Sequence, residues 1–275
     1  MPLPVVDTRR FFRPLSREVV AVLRAAGVEG WQRPTLAGAW QVRDVAAHLC
    51  DTALRRLSFQ RDRSSGAPGP RPDQDFVAFI NELNATWVGA ARRLSPRVLT
   101  DLYAQASGEL AAFMETLDLD APAFFPVSWA GEDESRQWLD VGREFTEVWH
   151  HGAQIRDALD AGPFSDPRWL LAVLQIAMHA LPHGYRDVTA PSGAAIAIRV
   201  SGPASGAWSL HRRDGTWIID ESSPAAPAAT VTMADETAWR LFFNALSPPE
   251  IESRIVVEGD AMLAGPLLRT RSVIV

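Results

Sequence analysis

Glu147 and His151 stand four residues apart in the stretch Arg143-Glu144-Phe145-Thr146-Glu147-Val148-Trp149-His150-His151-Gly152-Ala153-Gln154-Ile155-Arg156-Asp157. On an α-helix that spacing puts both side chains on one face, one turn apart. A carboxylate and an imidazole placed this way can supply two of the three protein ligands of a catalytic metal site. An isolated pair of this kind is more often a solvated contact on a bundle helix, so the spacing alone does not decide. Phe145, Val148, Trp149, Ile155 and Leu159 recur with helical period and give the same helix a buried stripe. His150 projects about 100° away from His151 and is expected to pack or sit at a rim. Glu144, one turn before Glu147, is expected either to support the site or to be solvated.

A second stretch, Trp40-Gln41-Val42-Arg43-Asp44-Val45-Ala46-Ala47-His48-Leu49, carries a histidine about a hundred residues upstream. His48 has Asp44 one turn before it and Arg55 nearly two turns after, on the same helix. A lone histidine in such a place is usually a satisfied core residue. Asp44 can accept from the free ring N–H of His48, as partners of metal-bound histidines do, or can be a first-turn acid favoured by the helix dipole. Arg55, Arg143 and Arg156 could hold an anionic substrate by paired contacts. All 27 basic residues are arginine, however, so any one of them is first of all a surface charge. Arg55 is the best placed because it shares the His48 face. Cys50 lies about 160° from His48 on an ideal helix and reads as a buried structural thiol.

The elements that must carry these residues follow from the apolar pattern. Val19, Val20, Val22 and Leu23 give a first helix, capped at Ser16 and ending near Gly27. A second runs from about Val42 past Leu57. A third, Asp75 to Leu94, has Phe76, Phe79, Ile80, Leu83 and Trp87 as its stripe. Ser95-Pro96 starts a fourth helix to Leu117, with Val98, Leu102, Leu110, Phe113 and Met114 inward. Residues 118–134 read as a long loop, and Arg136 to Ala161 as the helix that bears Glu147. Helices joined this way imply an antiparallel bundle with its site between facing helices.

After Gly162-Pro163 the texture changes. Trp169 to Leu181 reads as one helix, followed by strands at Ala195–Val200, Ala207–Arg212 and Thr216–Asp220, with turns at Gly202-Pro203 and Asp214-Gly215. A strand at Thr230–Met233, a helix at Asp235–Leu246, a strand at Ile255–Glu258 and a helix to Leu268 complete a small α/β unit. Trp208, Trp217 and Trp239 are expected in its core. The boundary expected near Ala161 gives two domains, 1–161 and 162–275. His179, His183 and His211 have no carboxylate at ligand spacing and are not expected in the site.

The net charge of −6 argues against nucleic-acid binding. One cysteine excludes an intramolecular disulfide and a cysteine-based zinc site, and fits a reducing cytoplasm. The start, Met1 to Asp7, lacks the pattern of a signal peptide. The longest apolar run, Trp169 to Leu181, is broken by Gln175 and His179 and is too short to span a bilayer. A cytoplasmic protein without a membrane or nucleic-acid partner is expected.

The two motifs together, W-x-V-R-D-V-A-A-H-L and R-E-F-T-E-V-W-H-H-G-A-Q-I-R-D, resemble the mycothiol-dependent maleylpyruvate isomerase family, within the wider DinB-like bundle proteins. Residues Ala229 to Met233, Trp239-Arg240-Leu241 and V-x-G-D at Val257–Asp260 look more loosely like that family's C-terminal domain, which is similar to sterol-carrier proteins. The resemblance implies an α+β chain, a DinB-like antiparallel helical bundle followed by a small sterol-carrier-like α/β domain. Carried over, the family's His-Glu-His metal triad falls on His48, Glu147 and His151. Its ligand types suit zinc first, with nickel or iron as alternatives.

The resemblance further implies a mycothiol-like low-molecular-weight thiol as cosubstrate. Its thiolate adds to an activated double bond, the adduct rotates, and elimination gives the trans isomer; related bundle proteins act as S-transferases. Partners are then a small electrophile and a thiol. Two other readings use the same residues: a metal-stabilised binding module without catalysis, and a metal-assisted hydrolase.

Overall fold

The computed structural model describes residues 3–273, so Met1 and Pro2 of the N-terminal stretch lie outside the described residues. Five long helices come first: α1 (Phe12–Ala25), α2 (Val42–Arg56), α3 (Phe76–Ala91), α4 (Pro96–Met114) and α5 (Gln137–Ala158). Then follow α6 (Pro167–Ala177), α7 (Ala180–Gly184), β1 (Ala195–Ser201), β2 (Gly206–Arg213), β3 (Thr216–Asp220), β4 (Ala229–Ala234), α8 (Asp235–Phe242), α9 (Pro248–Arg254), β5 (Val256–Gly259) and α10 (Ala261–Arg269). A helical N-terminal region and a C-terminal mixed sheet make the chain α+β, as expected.

By backbone proximity the chain forms two units, neither of them continuous in sequence. The helical unit comprises residues 7–119 and 144–165, and the sheet unit residues 3–6, 120–143 and 166–273. The last crossing between the units lies between Ser165 and Asp166. Residues 120–143, expected with the bundle, group with the sheet unit.

In the helical unit, α1 begins a turn earlier than expected. Phe12, Leu15, Val19 and Leu23 form its buried stripe, and Ser16 lies buried inside the helix instead of capping it. Pro14 is tolerated there because a first-turn residue needs no intrahelical N–H bond. Gln41 and Asp44 make a capping box at the start of α2. Leu57–Arg61 continue that helix as a π-helical turn. Asp75 and Ser95 cap α3 and α4 through the backbone N–H of Ala78 and Val98.

The stripe expected on α3 is only partly covered. Phe76 is exposed, and Val88 and Ala91 are the buried positions. On α4 Val98 also lies outside, and Leu99 and Tyr103 take the inward places beside Leu110 and Met114. Gly152 on α5 marks a close approach to α1: a Cβ there would stand 2.8 Å from Val19 and from Phe164.

The sheet unit is built on the order β3-β2-β1-β4-β5. The β1–β4 pair is parallel and the other pairs antiparallel. Central Ile198 faces Trp208 on β2 and Val231 on β4, and all three are buried. Asp214 and Gly215 both have positive φ, 48° and 80°, which fits a two-residue turn of the primed type between β2 and β3. The expected helix Trp169–Leu181 is two helices, separated at Met178 and His179. Asn244, at φ 55°, follows the end of α8 and cuts it short of the expected Leu246. The short α9 was not anticipated, although Ser247-Pro248-Pro249-Glu250 carries the capping-box pattern that starts it. Trp208, Trp217 and Trp239 are core residues, as expected.

Candidate metal site

Helix α2 presents His48 from its second turn, and α5 presents Glu147 and His151 from successive turns of one face. His48 Nε2 lies 2.8 Å from Glu147 Oε1, and His151 Nε2 lies 3.4 Å from the same oxygen. One nitrogen from each imidazole and one carboxylate oxygen thus fall within 4.8 Å of one another. Among the described residues this is the one group of three or more histidine, cysteine or acidic side chains with ligand atoms so gathered. The two imidazole rings meet edge to face, 4.7 Å between centroids.

Both histidines are buried, and Glu147 is partly accessible. Burial lowers the His48 pKa by more than its bond to Glu147 restores, so the ring is held neutral. Burial would raise the Glu147 carboxyl, but the bonds from His151 and His48 outweigh it and hold the group well below the ordinary carboxylate range. A neutral imidazole at His48 and an ionised carboxylate at Glu147 are protonation states that bind a divalent ion. Three protein ligands also leave such an ion with an open position. The donor set therefore fits a catalytic metal.

The neighbours explain the orientations. Gln154, buried one turn further along α5, places its Oε1 2.8 Å from His151 Nδ1. Held at Nδ1, the ring turns Nε2 toward Glu147; fixing a ligand histidine through its other nitrogen is a recurrent support of metal sites. In the sequence the only sign of this role is the i+3 spacing of Gln154 from His151. The Trp40 indole lies against both imidazoles, with centroids 5.1 Å from His48 and 6.3 Å from His151. It stands at the end of a loop tied by the Pro34–Gln41 bridge and by the bond from the Thr35 N–H to the Trp40 carbonyl.

Asp44 and His48 are not brought together. The Asp44 carboxylate accepts from Arg92 Nε and Nη2 at 2.9 and 3.1 Å and from the Gln41 N–H at 3.1 Å. His48 Nδ1 is buried and makes no hydrogen bond. Arg55 lies near enough for its charge to act on His48, but its guanidinium is bonded to Asn84 Oδ1 at 3.0 Å and paired with Asp51 at 3.1 Å. Arg156 serves the end of α5, donating to the carbonyls of Ala161, Gly162 and Pro163 over the Phe164 ring. Arg143 is paired with Asp140.

His150 is buried, bonds the Thr146 carbonyl through Nδ1 and stacks 4.0 Å from His151. Burial and the neighbouring His151 push its pKa down to about 3, so it packs as a neutral ring. Cys50 is buried, and burial pushes its thiol up to about 12. Glu144 is buried, not solvated, and is paired in the interior with Arg56.

A two-unit α+β chain with a His–Glu–His cluster between two helices of its helical unit defines the class. Residues 12–156, more than half of the chain, match the model for the mycothiol maleylpyruvate isomerase N-terminal domain. The protein belongs to that family. Two crystal structures of the mycothiol-dependent maleylpyruvate isomerase, one of them a histidine-to-alanine mutant, superpose with TM-scores of 0.58 and 0.57. Each is 12% identical and aligns over 94% of this chain and 95% of its own. At that identity the likeness establishes the fold. No curated protein matches the chain in sequence.

Proposed function

We propose that the protein is an enzyme that uses a low-molecular-weight thiol of the mycothiol kind to isomerise a small electrophilic double bond. The supporting observation is the convergence of His48, Glu147 and His151 within 4.8 Å from two helices, in a chain of the maleylpyruvate isomerase family. In this reading His48, His151 and Glu147 would hold one divalent ion, zinc by ligand type. A bound ion of that charge lowers the pKa of a thiol beside it and so supplies a thiolate at neutral pH.

The chain's own residues do the rest. Gln154 keeps the His151 ring turned inward, and the Trp40 indole limits water at the two imidazoles. Arg55, partly exposed on the His48 helix, is the candidate partner for a substrate carboxylate. The thiolate adds to one carbon of the conjugated double bond, and the other carbon becomes an enolate. After rotation about the new single bond, loss of the thiolate restores the double bond in the trans sense. The thiol is not consumed. An S-transferase would use the same activated thiol but retain the carbon–sulfur bond.

Protein loaded with cobalt tests the reading. Added thiol should shift the visible spectrum, and a cis-configured unsaturated keto-diacid should be isomerised with catalytic thiol. A spectrum indifferent to thiol favours a structural metal and a binding role, and hydrolysis without thiol favours metal-bound water as nucleophile. Consumption of one thiol per product would replace isomerisation with S-transfer.

A further inference from the structure

Arg56 and Glu144 form an ion pair that the reaction above does not use. Arg56 Nε donates to Glu144 Oε2 at 2.8 Å, and Nη1 donates to Gln60 Oε1 at 3.0 Å. The two charged side chains are only 4% and 3% exposed, so neither reaches a substrate. Gln60 is buried as well and belongs to the π-helical turn that ends α2. Such turns are uncommon and gather at functional sites.

We propose that Arg56 is a positioning residue, whose pair with Glu144 sets the register at which α2 presents His48 to Glu147 and His151. The inference deepens the metal-site reading and rests on it. A buried ion pair loses much of its Coulomb energy to desolvation, and apolar replacements of similar volume are often as stable or more so. Stability is therefore a poor reason for this pair, and specificity of packing a better one.

The geometry gives that reason. His48 and Arg56 are eight residues apart on α2, about 12 Å along the axis. On α5 their partners come in the opposite order, with Glu144 preceding Glu147 and His151. The two helices are thus tied at two separated points, one polar cluster at each. A single tie would leave the rotation of α5 about its axis to apolar packing, and a shift of one residue turns a side chain by about 100°. The second tie removes that freedom and keeps the Glu147 carboxylate under His48 Nε2.

The test compares the full-length protein with the double variant Arg56→Met/Glu144→Leu and with Arg56→Lys. The double variant should unfold at or above the wild-type temperature, yet its zinc affinity, read by chelator competition, should fall roughly 10- to 100-fold, the range typical of residues that support ligands. Arg56→Lys, which keeps the charge, should recover part of the loss. A stable double variant with wild-type zinc affinity would overturn the proposal.

Imidazole nitrogen NMR on metal-free protein gives a readout independent of zinc. The signal of His48 Nε2–H bonded to Glu147 should weaken or shift in both variants, and an unchanged signal counts against positioning. Should the double variant fail to fold, Arg56→Lys decides in both assays, with unchanged affinity and an unchanged His48 signal as the overturning result. Wild-type protein that takes up no zinc would sink the metal reading instead, and the NMR comparison would still decide the role of Arg56.

Discussion

The helical unit and the sheet unit each set a histidine against a carboxylate, and the two clusters are saturated to different degrees. In the sheet unit His211 Nε2 lies 3.2 Å from Asp220 Oδ1 and 2.7 Å from Ser222 Oγ. The hydroxyl and backbone N–H of Ser222 both donate to that carboxylate oxygen, and Arg213 stands 3.7 Å from the other. Burial would raise the Asp220 carboxyl, but the Ser222 donors and the nearby imidazole keep it low. Each acceptor there already has a donor from the same hairpin and its following turn. In the helical unit two ring nitrogens from different helices converge on one carboxylate oxygen instead. Proximity of histidine and acid is common to both places. What separates a candidate metal site from a structural latch is that imidazoles from two different helices share one carboxylate, whereas the sheet-unit imidazole shares its acid with donors of its own hairpin and turn.

The largest expected effect breaks the comparison on one side only. His48→Ala or His151→Ala should abolish stoichiometric metal, measured by elemental analysis, and activity with it, while the near-ultraviolet signature of the sheet-unit tryptophans persists. His211→Ala should keep metal and activity near wild type and lose roughly 1–3 kcal/mol of stability, because it strips a partner from a buried acid. Full metal content in both His48→Ala and His151→Ala would erase the distinction.

Much of this contrast was legible in the chain, unevenly. Glu147 and His151 could be paired from spacing because a helix makes i and i+4 neighbours. His48 could not, since 99 residues separate it from Glu147 and only the family resemblance joined them. The His211–Asp220 pair was missed although its signal was present. A two-residue turn at Asp214-Gly215 pairs Arg213 with Thr216 and hence Ser209 with Asp220, which puts residues 209, 211 and 220 on one face. Of the two readings of Asp44, the first-turn acid holds and the partner of His48 does not, because helical periodicity ranks faces and does not rank competitors. Arg92, 48 residues away in sequence, claims the carboxylate. Arg56 and Glu144 were unreadable as a pair for the same reason: nothing local tells a buried arginine from the other 26 of the chain's 27.

A sharper comparison comes from Gln154, the support that His211 lacks. Gln154→Leu keeps the volume but frees His151 Nδ1, and should lower zinc affinity roughly 10- to 100-fold with the fold intact. Isothermal titration or chelator competition would measure it. An unchanged affinity would mean that the His151 ring is held by packing against His150 and Trp40 alone.

Another histidine, His179 in the sheet unit, has neither an acid nor open coordination. Its Nε2 makes no hydrogen bond, its ring meets Trp138 edge to face at 5.2 Å, and burial pushes its pKa from 6.5 to about 4. The folded state therefore resists protonation that the unfolded chain accepts. Stability is full above pH 6.5, falls as the pH drops through the interval to 4, and is roughly 3 kcal/mol lower below it. Thermal unfolding of wild type against His179→Phe between pH 7 and 4 should show this acid-side loss shrinking in the variant. Equal losses would assign the acid sensitivity to other groups.

The smallest effect separates cap from site on α2. Asp44 caps that helix and binds Arg92, so Asp44→Asn should cost about 1 kcal/mol, the usual worth of such a cap. The partner Arg92 is half-exposed, so the lost ion pair itself adds little. His48 sits one turn along the same helix but shares no hydrogen bond with this acid, and metal content should not change. Loss of zinc from a stable Asp44→Asn protein would show that the carboxylate serves the His48 imidazole after all. In that event Nδ1, which makes no hydrogen bond in this structure, would be the atom it serves. The two acids one turn apart from histidines, Asp44 before His48 and Glu147 before His151, would then share a task that this geometry gives to the second alone.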